Sequence, residues 1–258
     1  MRKQFLIKIA AVLCCGAAAA SMLTACEQKK VALDNEQIVN FTEPAQDEEI
    51  CVLTVKDYGD IKIKFFPEET SQGVENFKGL VKKGFYDELI FHRIINQFMI
   101  QGGDPKGDGT GGVDANGGNG FKQTISSKLI HVPGALAYAI NPQEKLNKSQ
   151  FYIVTGTLCD TTYMDTLASK GYKFSPFVRS IYEQFGGAPH LDGGYEIFGQ
   201  VFDGMDKVMQ IQKVAVDSND KPRTSVVIEK AELVKYDGSG THWVNYLGEE
   251  QSGINAKG

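Results

Sequence analysis

The run Phe91 to Gly112, FHRIINQFMIQGGDPKGDGTGG, constrains this chain more than any other stretch. It sets one arginine, Arg93, and one glutamine, Gln101, at the two ends of an apolar block that finishes in Phe98 and Met99, and a glycine-rich turn follows at once. The block from Arg93 to Gln101 holds no carboxylate pair, no obvious nucleophile and no cluster of metal ligands. What it offers is a fixed cation beside an apolar floor. A guanidinium is planar and always charged, so such a site suits chemistry that needs a directed donor, a greasy pocket and little proton transfer. No cofactor and no metal are expected of it.

Strand patterns dominate the surrounding sequence. Ile61-Lys62-Ile63-Lys64-Phe65 alternates as a half-buried strand does, and Cys51 to Val55, Phe91 to Ile95, Tyr152 to Val154, Ile197 to Phe202 and Val226 to Val234 also read as strands. Two helices interrupt them. Pro67 opens the first beside Glu68 and Glu69, Val74, Phe77, Leu80 and Val81 give its apolar face, and Gly84 ends it. The second runs from about Met205 to Val214. Mostly antiparallel strands with two helices fit a closed barrel capped at each end, and residues 50–236 suit one domain.

Three motifs in order resemble the cyclophilin family of peptidyl-prolyl cis–trans isomerases: FHRII…FM.QGGD…G.GTGG, LAYAINPQEKLNKSQFYI from Leu136 to Ile153, and HLDGGYEIFGQV from His190 to Val201. The resemblance covers the chain from about Cys51 to Tyr236. It implies an eight-stranded antiparallel barrel with two helices, and isomerisation of X-Pro bonds. It assigns Arg93 as the catalytic arginine and Gln101 as the glutamine that orients the substrate backbone. Phe98, Met99, Tyr152 and Leu191 match the pocket for the proline ring, and Ala139 and Ile140 the strand edge along which the peptide lies. Two rim positions depart from the commonest pattern. His190 stands where the family's drug-sensitive members carry tryptophan, and Tyr195 where many carry histidine. A third departure is the segment 159–188, longer than the short loop of compact members. Ser175-Pro176 begins a helix there, with Phe177, Val178, Ile181, Tyr182 and Phe185 at helical spacing and Gly186 as its stop.

The chain ends add an address. Arg2, Lys3 and Lys8 precede an uncharged apolar stretch from Ile9 to Leu23, and Leu23-Thr24-Ala25-Cys26 resembles a bacterial lipoprotein signal. The stretch is shorter than the ~20 residues of a spanning helix. Residues 1–25 are thus expected to leave a mature protein that begins at a lipidated Cys26 and faces outward from the cell membrane. The loss of three positive charges takes the net charge from −5 to −8, which argues against a nucleic-acid partner. Residues 26–49 read as an acidic flexible tether and 237–258 as a polar tail on which Trp243 and Tyr246 could dock. Cys51 and Cys159 could pair in an oxidising exterior, though two cysteines alone prove nothing and both also read as small buried hydrophobes.

Competing patterns fall away. Gly107 to Gly112 satisfies G-x-G-x-x-G, but Asp104-Pro105-Lys106 precedes it and a second glycine-rich stretch follows, so neither the strand nor the helix of a dinucleotide site is present. Asp104, Asp108 and Asp114 suggest a calcium loop, yet Ile125 sits where its closing glutamate belongs. His92 faces away from Arg93 in a strand and is expected to hydrogen-bond inside the barrel. Two functions of different class remain: a monomeric isomerase acting on exported or surface proteins, and a proline-peptide-binding module with little turnover. Retention of Arg93 and Gln101 favours the enzyme.

Overall fold

The computed structural model describes residues 38–140 and 144–251. The leader, Cys26 and the Asn141-Pro142 turn of the second motif lie outside the described residues. Alternation builds the first hairpin: β1 (Glu49–Val55) and β2 (Gly59–Phe65) pair antiparallel from Cys51↔Ile63 to Val55↔Gly59. Every second side chain (Cys51, Leu53, Val55, Ile61, Ile63, Phe65) enters the main core. The three-residue loop between them turns on Asp57 at φ 66°, a left-handed conformation that aspartate tolerates better than most residues.

The remaining elements are α1 (Pro67–Lys82), β3 (Arg93–Ile95), β4 (Met99–Gly102), β5 (Phe121–Lys122), β6 (Ala135–Tyr138), β7 (Leu146–Asn147), β8 (Phe151–Val154), α2 (Thr161–Ser169), α3 (Pro176–Phe185), β9 (Ile197–Asp203), α4 (Met205–Ile211), β10 (Ile228–Lys235), β11 (Trp243–Val244) and β12 (Glu250–Gln251). Eight strands form one antiparallel sheet in the order β10-β1-β2-β9-β6-β8-β4-β3. The sheet curls until its edge strands face each other, and closure there is irregular. Phe91 N–H donates to Val226 O at 2.9 Å, Ile228 N–H to Leu89 O at 2.8 Å, and Ile94 N–H to Asp220 O at 2.8 Å, with a single bridge Ile90↔Val227. The expected eight-stranded barrel is therefore present as a curled sheet whose last seam is stitched rather than laddered.

Helix α1 plugs one mouth with the face its spacing predicted. Phe77 stacks on Tyr86 at 4.8 Å and meets Phe151 and Phe198 at 5.6 and 5.1 Å. Helix α4 covers the other mouth through Met205, Val208, Met209 and Ile211. It begins after Gly204 (φ 89°), where a Cβ would stand 2.5 Å from Asp60 O, so only glycine fits that approach.

Three expectations need correction. The insert holds two helices, not one. Asp160 caps the extra helix, α2, by accepting from Tyr163 N–H at 2.8 Å, a short-range signal easily lost in a polar stretch. Residues 38–49 are not a free tether. Ile38 is buried, and fully buried Asn40 donates to Ile130 O and Gln200 Oε1, both at 3.0 Å. The tail docks as well: Trp243 packs edge-on against Phe41 at 5.6 Å, and Phe41 lies 4.6 Å from Phe185 of α3. Insert, N-terminal segment and tail thus share a second apolar core beside the barrel, built on Met164, Leu167, Val178, Ile181, Tyr182 and Phe185. Cys51 and Cys159 are free and buried in separate cores. Burial raises both thiol pKa values, that of Cys159 to about 12, so neither is a ready nucleophile. Finally, His92 is buried as expected, but neither ring nitrogen has a hydrogen-bond partner among the described residues, and burial lowers its pKa.

Candidate active site on the outer face of the sheet

Register brings the candidate residues together. In the β3–β4 hairpin Arg93 pairs with Gln101, Gln101 pairs with Tyr152 of β8, and Tyr152 pairs with Ala137 of β6. One row across four strands therefore carries a cation, an amide and an aromatic ring. The alternate residues of the same strands, Ile94, Ile100 and Ile153, point into the barrel core. The row looks outward, over a separate apolar cluster that includes Met99, Ala137, Tyr152, Val154 and Ile197, with Phe98, Ala139, Leu191 and Tyr195 packed around it. Every residue named for the proline pocket belongs to this one cluster.

Local structure fixes each part. Gln97 stands at φ 59° in the three-residue loop between β3 and β4, and its N–H donates to Gln212 Oε1 at 2.8 Å. Phe98 O accepts from Thr155 and Gly156 N–H at 3.0 and 3.2 Å, which pins the pocket's tip to the end of β8. His190 stacks on Phe98 with ring centroids 5.5 Å apart, and its Nδ1 lies 3.2 Å from Tyr163 Oη of α2. Burial, aided by nearby His131, pushes the His190 pKa down to about 4, so this rim residue is a neutral aromatic at physiological pH. Tyr195 meets Tyr152 edge-on at 6.0 Å. Ala139 and Ile140 lie just past the end of β6 rather than on a strand: Ala139 N–H donates to Gln150 O at 3.0 Å, and half-buried Ile140 follows it.

The polar groups have supports that sequence reading did not assign. Arg93 Nε lies 3.4 Å from Asp220 Oδ2, both side chains about two-fifths exposed (39 % and 40 %). Asp220 also accepts from Ile94 N–H through its carbonyl, so the loop that closes the barrel seam carries the arginine's counter-charge. Gln101 Nε2 donates to Gln150 Oε1 at 2.9 Å, and Gln150 Nε2 donates in turn to Gly109 O and Gly111 O at 3.0 and 2.7 Å. The glycine-rich turn is thus the anchor of the amide that sits beside Arg93. Its own frame is Asp104, buried, accepting from Lys106 and Asp108 N–H at 2.9 and 3.2 Å. Asp104 is thereby used to frame the turn, and among the described residues no three His, Cys, Asp or Glu side chains are gathered into one group that could hold a metal ion. Beneath the pocket Tyr152 Oη lies 3.0 Å from His131 Nε2, and His131 Nδ1 lies 2.7 Å from Asp192 Oδ1. Gln150 and Asp192 stood within the second and third motifs but carried no assigned role; nothing in the sequence joined His131 to them.

An open apolar trough with a directed guanidinium and a braced carboxamide can hold a small ring and donate to one heteroatom of a backbone. Among the described residues it contains no base positioned to abstract a proton. Comparison with known proteins agrees with that chemistry. Residues 50–233 match the family described as cyclophilin type peptidyl-prolyl cis–trans isomerase. A Staphylococcus epidermidis protein described as a peptidyl-prolyl cis–trans isomerase is 38% identical over 188 residues, covering 73% of this chain and 93% of that protein. A Staphylococcus aureus counterpart is 39% identical over 188 residues with the same coverage. A Streptococcus pyogenes protein described as a bifunctional phosphatase/peptidyl-prolyl cis–trans isomerase is 39% identical over 184 residues, and the chain spans only 38% of its length. Among solved structures, a Cryptosporidium parvum cyclophilin crystallised in the presence of the dipeptide Ala-Pro superposes with a TM-score of 0.56 at 27% identity, covering 72% of this chain and 98% of that one. The curled antiparallel sheet, the outward-facing row of Arg93, Gln101 and Tyr152, and the family match over residues 50–233 place this chain among the cyclophilin-type peptidyl-prolyl cis–trans isomerases.

Proposed function

We propose that Arg93 and Gln101 carry the isomerase reaction of this chain, on X-Pro bonds of exported or surface polypeptides, from a position held at the cell membrane by lipid on Cys26. The observation that carries the catalytic part is the register row Arg93–Gln101–Tyr152 over one apolar cluster. Amide resonance sets the X-Pro barrier at about 18–20 kcal/mol, and the uncatalysed exchange takes tens to hundreds of seconds. When the bond twists, the nitrogen lone pair leaves conjugation and becomes a better acceptor. A guanidinium aimed at it then binds the twisted state more tightly than the planar one, which is what acceleration requires. Reaching the millisecond range needs a factor of ~10⁵, or about 7 kcal/mol. Arg93 supplies the donor, Gln101 holds the flanking carbonyl in line, and Phe98, Met99, Tyr152 and Leu191 lock the ring so that the bond, not the residue, rotates.

The extracytoplasmic part rests on the leader sequence: a basic start, an uncharged apolar stretch and a small residue before Cys26. No helix among the described residues is long and apolar enough to cross a membrane. The anchor of this reading is the acyl chains on Cys26. The test of the whole is the rate of cis–trans exchange in short X-Pro peptides with the full chain in lipid vesicles. Exchange accelerated by several orders of magnitude is expected. Tight peptide binding without acceleration would leave a capture module instead.

A further inference from the structure

Tyr152 differs from a purely apolar pocket wall by one hydroxyl, and that hydroxyl is buried. A buried O–H without a partner costs stability, so its partner matters. It points away from the trough to His131, a side chain with no exposure at all, whose ring lies nearly parallel to that of Tyr152 (14°). His131 Nδ1 faces Asp192 Oδ1 at 2.7 Å, and Asp192 Oδ1 also accepts from His131 backbone N–H at 3.0 Å. Asp192 Oδ2 accepts from Tyr182 Oη at 2.6 Å, and Tyr182 Oη accepts from His131 N–H at 2.9 Å. Tyr182 belongs to α3, the second helix of the insert, and is fully buried.

We propose that the chain Tyr182–Asp192–His131–Tyr152 is a positioning relay for the isomerase reaction, through which the inserted helix α3 sets the wall of the proline pocket. The carboxylate of Asp192 can only accept, so the ring proton of His131 that faces it sits on Nδ1. His131 Nε2 in turn holds Tyr152 Oη at 3.0 Å. The phenolic hydroxyl is thereby kept turned away from the substrate, its ring is held in one orientation, and the face shown to the trough stays apolar. Without the relay the hydroxyl would seek a partner in the trough and the ring would be free to turn. Substrate would have to order the ring on binding, which weakens binding without altering what Arg93 does to the bound amide. Asp192 and Tyr182 touch no substrate in this arrangement; they act through His131 and Tyr152.

The inference rests on the reading of Tyr152 as a pocket wall, and one experiment separates the two. KM and kcat are measured on an X-Pro peptide for the full chain and for Tyr182→Phe, Asp192→Asn, Tyr152→Phe, Tyr152→Ala and the two double variants that add Tyr152→Phe. Tyr182→Phe keeps the volume of the buried ring, so it remains informative if Asp192→Asn does not fold. Tyr182→Phe and Asp192→Asn are each expected to raise KM about three- to tenfold at unchanged kcat, the scale of one buried hydrogen bond. In the Tyr152→Phe background, which has no hydroxyl to misdirect, the same changes should leave KM where Tyr152→Phe alone puts it. A KM rise that persists in the Tyr152→Phe background, or a fall in kcat instead, would overturn the relay. If Tyr152→Ala itself leaves KM unchanged, the pocket assignment fails; if Tyr152→Ala raises KM while Tyr182→Phe does not, the relay alone fails.

Discussion

Arg93 sits on an edge strand with 39 % of its side chain exposed and a single carboxylate, Asp220, at 3.4 Å. A pair this open contributes at most about 1 kcal/mol to stability. Arg93→Ala should therefore lower kcat/KM by about 10²–10³-fold, the usual loss for one directed donor, while the melting temperature hardly moves. Arg93→Lys should be nearly as poor, because a point charge lacks the planar fork. Near-normal peptide exchange in both variants would remove the arginine from the mechanism. A second residue gives the molecule a pH response. Glu196 is fully buried; its Oε2 accepts from Thr124 N–H and Asn147 Nδ2 at 2.8 and 2.6 Å, and its Oε1 has no partner among the described residues. Burial raises its pKa to about 7. The folded chain thus holds this proton more tightly than the unfolded chain, and the stability so gained is complete below about pH 4.5 and lost as pH rises through about 7. Glu196→Gln keeps a neutral acceptor at the same place. Its melting temperature should gain on that of the parent between pH 5 and pH 8, by the equivalent of about 1 kcal/mol or more. Parallel pH profiles would show that Glu196 does not titrate in this window.

At the scale of elements, the insert joins the core to the groove. Phe185 of α3 is fully buried and lies 4.6 Å from Phe41, so Phe185→Ala should cost about 3–5 kcal/mol in urea unfolding. A loss below 1 kcal/mol would mean that the second core is ornamental. The same core makes deletion of residues 160–186 a poor probe of the groove, since it would strip Ile38, Trp243 and Tyr236 of their packing. Helix α2 acts at the rim instead. His190 is held between Phe98 and Tyr163, a smaller and less apolar rim than the tryptophan of drug-sensitive cyclophilins would give. Cyclosporin is therefore expected to inhibit weakly, and His190→Trp to strengthen inhibition by about tenfold, roughly the worth of the added apolar area, while changing the rate less. Tight inhibition of the parent chain would show that position 190 does not govern the drug.

For the whole molecule, the described domain extends beyond the family match at both ends, because residues 38–49 and the tail to Gln251 pack with the insert into a core of their own. Tyr246 N–H donates to Phe185 O at 2.8 Å, so the tail is tied to the insert by backbone as well as by rings. Any tether that holds this domain off a membrane is shorter than the acidic stretch 26–49 suggests. Cys26→Ala should leave the chain unlipidated and no longer acyl-anchored to the membrane; labelled lipid still carried by the Cys26→Ala chain would refute the anchor.

Strands β1, β2, β3, β8, β9 and β10, helices α1 and α4 and the helix from Pro176 were legible because their signals are local: a period of two, a helical stripe, a proline at the first turn, a glycine at the last. Strands β4 and β6 were not, because both are short and buried on nearly every side chain, which leaves no alternation to read. The candidate pocket residues were singled out only through motif resemblance, since Phe98, Met99, Tyr152 and Leu191 look like any core residues when taken singly. Three things required the folded chain. The register of β3, β4, β8 and β6 placed Arg93, Gln101 and Tyr152 in one row. The seam brought Asp220 to Arg93, although they are far apart in sequence. And the insert's buried Tyr182 reached Asp192 and, through His131, Tyr152. Local sequence determines which way a side chain points along its own strand or helix. Which distant strand lies beside it, and which segment covers an apolar face, is decided only when backbone hydrogen bonds and buried area are satisfied together across the whole molecule.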